Sequence, residues 1–206
     1  DNLHIVIGTR LSPAIALAKL RLEDAVTDFG MDDLKFNREE AEALFGEDFP
    51  LKKVLKYFDV AEGWPAALQL MVMSSAKGHA LDFGKNSASV LDLDSYLTEQ
   101  FLNSLSDAQN RFLVETAHLN PINGDLADYV RNSNDSWDTL ASISQAHSLV
   151  HEQTEMDFGW YRYHQLLQDY LLRCQQSLGE EVRNKLRVRA AHWLNDHGHL
   201  YSASKL

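Results

Sequence analysis

Cysteine occurs once in 206 residues, at Cys174, so no internal disulfide framework can exist and the fold must rest on packing, as expected in a reducing cytoplasm. Basic residues are scarce: 19 Lys+Arg stand against 30 Asp+Glu, a formal net charge of -11. That is the wrong sign for a surface that neutralises phosphates, and it argues against direct nucleic-acid contact. No apolar run approaches the roughly 18 residues of a membrane span, and no signal-peptide pattern is present. The first residue is Asp1 rather than methionine. Cys174 falls in a helical pattern and reads as a core or half-buried thiol.

Phosphate-loop and metal signatures are also missing. The stretch GHALDFGKNS (78–87) imitates a phosphate loop, but five residues separate its glycines where four are needed, and Asn86 stands where Ser or Thr should hold magnesium. It also follows a helix rather than a strand, and reads as a solvated loop. His192, His197 and His199 cluster, yet the first two are five apart and do not share a helix face. His147 and His151 are four apart but fall on an expected strand. With one cysteine and no H-E-x-x-H, no metal is expected, and no nucleophile elbow or Ser-His-Asp order suggests catalysis.

What is present is a chain that is 45% hydrophobic, enough for a packed core, organised almost entirely as amphipathic helices. The exception is the start. Leu3, Ile5, Val6 and Ile7 read as a buried parallel strand broken by Gly8-Thr9-Arg10, and Ala25 to Gly30 as an edge strand, with a helix from Ser12 to Arg21 led by Pro13. Such strands need neighbours that nothing downstream supplies, so residues 1–35 are expected to be the C-terminal remnant of an α/β domain and the chain a piece of a longer protein.

From Asn37 onward the pattern is helical. Asn37 and Glu40 make a capping box, residues 51–60 form a second helix, and Gly63 turns the chain into a strongly apolar helix entered at Pro65. The segment 79–92 reads as a loop and 92–105 as a helix, giving a helical bundle over 36–105. Ser106 and Gln109 make a second capping box, two short helices follow at about 125–132 and 135–145, and the period then changes to alternation. SLVHEQT and WYRYH read as a hairpin over 148–164, its turn at 155–159, so 106–178 is a winged-helix-like unit. Amphipathic helices over 165–174 and 181–197, with a further start at LYSASKL, make 179–206 the opening of a helical-repeat region. The expected fold is mainly α.

Three separated patterns, LHIVIGTR with DLKFNREEAEALF, EGWPAALQL, and SLVHEQ with WYRYHQLLQDYLL and RVRAAHWLNDHG, resemble the ATP-dependent LuxR-type transcription regulators related to the maltose regulator, a branch of the signal-transducing ATPases (STAND, within the AAA+ group). The resemblance spans essentially the whole chain, and WYRYH is its most specific part. It implies the middle of a switch: a helical subdomain and winged helix between an upstream ATPase core and downstream sensor repeats, self-associating in the active state. It also implies nucleotide contacts to ATP or ADP in the parent protein, with Thr9 and Arg10 near the terminal phosphate, Gly63 and Pro65 against the adenine, and His164 on the ADP β-phosphate. Physical chemistry accommodates these roles: a guanidinium at a strand end is a bidentate phosphate donor, a proline ring is a rigid apolar surface, and an imidazole can gain charge beside a phosphate. The residues alone leave plainer alternatives open: a surface ion pair for Arg10, an ordinary helix-start proline for Pro65, and a helix cap for His164. A helical interaction module with no nucleotide role is the competing function.

Overall fold

The structure, a computed structural model, describes residues 4–9, 15–76, 88–153 and 159–199. Its order is helical: α1 (Leu17–Leu22), α2 (Met31–Leu34), α3 (Arg38–Phe45), α4 (Leu51–Ala61), α5 (Pro65–Ala76) and α6 (Ala88–Gln100), then a 3-10 turn at Leu102–Ser104. There follow α7 (Asp107–Thr116), α8 (Gly124–Arg131), α9 (Ser136–Ala146), strands β1 (Val150–Glu152) and β2 (Tyr161–Tyr163), α10 (Gln165–Gln175) and α11 (Glu180–Asp196). The fold is mainly α.

Two expectations are corrected at the N-terminus. Residues 4–9 and 25–30 form no strand. Ile5, Val6 and Ile7 are exposed, because a parallel strand without hydrogen-bonded neighbours has neither a ladder nor a covered face. The first helix runs Leu17–Leu22 rather than from Ser12, and Pro13 lies outside the described residues, as do the phosphate-loop mimic at 78–87 and the LYSASKL segment. The expected loop at 79–92 is helical from Ala88, where α6 begins.

Both capping boxes are present. The Asn37 side chain accepts from Glu40 N–H and the Glu40 carboxylate accepts from Asn37 N–H, at 2.9 and 2.8 Å. Ser106 and Gln109 repeat the exchange at the start of α7. Each satisfies donors that a helix start leaves orphaned, at a gain of about 1 kcal/mol.

Three helices and a hairpin, α7–α8–α9–β1–β2, make the winged-helix unit. The strands are antiparallel, pairing Val150 with Tyr163, His151 with Arg162 and Glu152 with Tyr161. Ile122 adds a bridge to Tyr161. Tyr163 is fully buried, its hydroxyl 2.8 Å from Thr116 Oγ1, which satisfies the one polar atom of a large core side chain. Trp137 of α9 lies across Gly124 and Gly159; a Cβ on either would sit 2.3 or 2.8 Å from its ring. Only glycine permits that seal between wing and helices. One core runs from Ala41 and Val54 through Leu97 and Phe112 to Leu167 and Leu194, so the helical bundle and winged helix share an interior.

Candidate functional site

The junction between α4–α5 and β2–α10 gathers the chemistry. Glu62 follows α4 with φ 50° and ψ 34°, in the left-handed region, and Gly63 follows at φ +75°. That pair reverses the chain within two residues and admits Phe36, whose N–H donates to Gly63 O at 2.9 Å. A Cβ on Gly63 would lie 2.6 Å from Phe36 O, so the position requires glycine for both space and conformation. Pro65 begins α5, where its missing N–H costs nothing.

His164 caps α10 from the far side. Leu166 N–H donates to its Nδ1 at 3.2 Å, which leaves the proton on Nε2, and Nε2–H donates to Ala61 O at 3.1 Å. The ring is buried at 3% exposure and meets Trp64 edge-on with centroids 5.6 Å apart. Burial lowers its pKa, while Glu62 acts in the opposite direction, so the neutral ring is the folded form. Glu62 Oε1 accepts from Arg162 Nη2 at 2.6 Å and from Gln165 N at 3.2 Å. His151, cross-strand from Arg162, also has a lowered pKa, chiefly from burial and then from Arg162.

A guanidinium and the first amide of a helix converge on one carboxylate, and that donor pair suits an anion. Beside it a cleft of about 410 Å³ is lined by residues including Thr9, Trp64, Tyr96, Phe101 and His147. Of the residues singled out in sequence, Gly63, Pro65 and His164 meet at this junction, Thr9 lines the neighbouring cleft, and Arg10 lies outside the described residues. The sequence reading missed Glu62, Trp64, His151 and Arg162. The only local signals were Glu62 immediately before the Gly-Trp-Pro turn and Arg162 inside WYRYH.

A second set of polar contacts joins α10 to α6. The Arg173 guanidinium grips the Asp94 carboxylate through both oxygens, and Tyr170 OH meets Thr98 Oγ1 at 2.7 Å. Among the described residues no group of three His, Cys, Asp or Glu side chains is disposed to hold a metal. His197 stacks on Trp193 at 3.8 Å.

Residues 98–182 match the family model described as the MalT winged helix domain. The chain is related to the MalT regulators. Over 206 aligned residues it is 26% identical to the HTH-type transcriptional regulator MalT of Vibrio cholerae serotype O1, taking in 94% of this chain. It spans 22% of the length of that curated relative. The MalT winged helix match contains β2, His164, Arg162 and α10, so one half of the junction lies within it. No helix among the described residues is long and apolar enough to cross a membrane.

Proposed function

We propose that this chain is the regulatory arm of an ATP-dependent transcription regulator, in which nucleotide state decides whether the helical subdomain and winged helix stay closed on an ATPase core. The observation that carries the reading is the placement of His164: at the start of α10, against the Ala61–Trp64 turn, inside a segment similar to a MalT winged helix. In this role His164 would hold the ADP β-phosphate, Gly63 and Pro65 would lie against the adenine, and Thr9 and Arg10 would serve the terminal phosphate. Partners are the upstream core, the downstream sensor repeats and, in the active state, other copies of the regulator. The protein works in the cytoplasm.

A second reading rests on a specific observation. Both ring nitrogens of His164 are satisfied within the chain, which is what a purely structural cap needs. His164→Ala in the full-length regulator separates the two. If the ring holds ADP, it stabilises the closed form alone, and losing a charge-assisted bond of about 1.5–3 kcal/mol shifts the closed-to-open ratio by roughly 10- to 150-fold. Inducer-free reporter expression then rises. A lower thermal midpoint with unchanged basal expression removes His164 from the switch and leaves a helical interaction module.

A further inference from the structure

The Glu62 carboxylate sits where an external anion could sit. Its Oε1 takes one bond from Arg162 and one from the first amide of α10, an eleven-residue helix whose orphan N–H groups favour negative charge. His151 lies cross-strand from Arg162, and Lys35, beside the turn, has its ammonium held by Asp32 at 2.9 Å. One carboxylate therefore answers two donors, a guanidinium and a helix amide. The Arg162 side chain is 38% exposed, so solvent and solutes reach it. Glu62 also holds a left-handed conformation, which a non-glycine residue keeps only when its contacts offset the strain.

We infer that Glu62 is an internal stand-in for a phosphate group: Arg162 and the Gln165 amide exchange its carboxylate for a nucleotide phosphate, and Glu62 thereby sets the concentration at which the exchange occurs. The inference rests on the nucleotide reading above and adds to it the competing group and the receiving donors. A phosphate offers more acceptor oxygens than a carboxylate and suits a guanidinium equally well. When it enters, Glu62 leaves and the turn loses that tie to β2–α10. No bond is made or broken beyond these hydrogen bonds.

The test uses the 206-residue chain, inorganic pyrophosphate as the probe, and NMR of the Arg162 side chain and the Gln165 amide. Glu62→Gln removes the competing charge and should tighten pyrophosphate binding about tenfold, the equivalent of about 1.4 kcal/mol. Arg162→Gln should abolish the response, and Arg162→Lys should keep part of it. Glu62→Asp, too short to reach, should also tighten binding and serves if the glutamine variant does not fold. Binding that is unchanged or weaker in both Glu62 variants, an undiminished response in Arg162→Gln, or no movement of either resonance in any chain overturns the exchange. A positive result, with His164→Ala leaving reporter expression unmoved in the full-length regulator, retains the anion site and retires the nucleotide switch.

Discussion

His164 and Ala61, 103 residues apart in sequence, are joined by a hydrogen bond of 3.1 Å from Nε2 to a backbone carbonyl. The carbonyl belongs to the last turn of α4, whose final C=O groups have no partner within the helix, and the ring belongs to the cap of α10, whose first N–H groups have none either. One imidazole thus serves two helix ends of opposite polarity. That role needs a neutral ring with its proton on Nε2, so the junction depends on a protonation state as well as on packing.

The winged helix should not bind duplex DNA. Its recognition-like helix α9 carries Asp138, is preceded by Asp135 at the cap, and has no Lys or Arg. Trp137 is committed to the seal over Gly124 and Gly159 and donates from Nε1 to Asp125. Approach to phosphates is repulsive at this surface. A gel shift on random duplex should show no retention at low salt, and salt-sensitive retention contradicts the claim.

Gly63→Ala should unfold the junction more readily than a change at the neighbouring surface. The added methyl group meets Phe36 O at 2.6 Å and must hold φ +75°, so the expected loss is about 1–3 kcal/mol. A ligand-contact role alone predicts normal stability. Chemical denaturation of the chain without nucleotide distinguishes them, and an unchanged midpoint removes the structural requirement.

How much of this was legible in sequence follows from the range of each interaction. The caps at Asn37 and Ser106 were legible because donor and acceptor lie three residues apart. The hairpin was legible because alternation around 155–159 changes the period, and His164 because it closes a recognisable motif. The N-terminal strands failed because a run of Leu, Ile and Val encodes a preference for burial but not the partner strands that realise it. Glu62 and Arg162 were passed over because they meet across 100 residues. No local spacing announces such a pair, and only the left-handed turn before Gly63 brings the carboxylate round to β2.

Acid should loosen this fold before it titrates most of the carboxylates. Burial lowers the pKa of His118, of His151 and of His164, and takes His118 down to about 4. In the unfolded chain these rings return to about 6.5, so between the two values the unfolded state binds more protons than the folded one. Stability is complete above about pH 6.5, falls as the pH drops, and stops falling from this source below each folded value. For His118 the loss is at most ~1.4 kcal/mol per pH unit across that window. Its Nδ1 lies 3.2 Å from Gln175 Nε2, and burial and Arg187 together outweigh the Leu186 backbone, which favours the charged ring. Thermal midpoints measured from pH 7.5 to 4.5 should decline for the unaltered chain and decline less steeply for His118→Gln. Parallel curves for the two proteins exclude His118 as a source of the acid sensitivity.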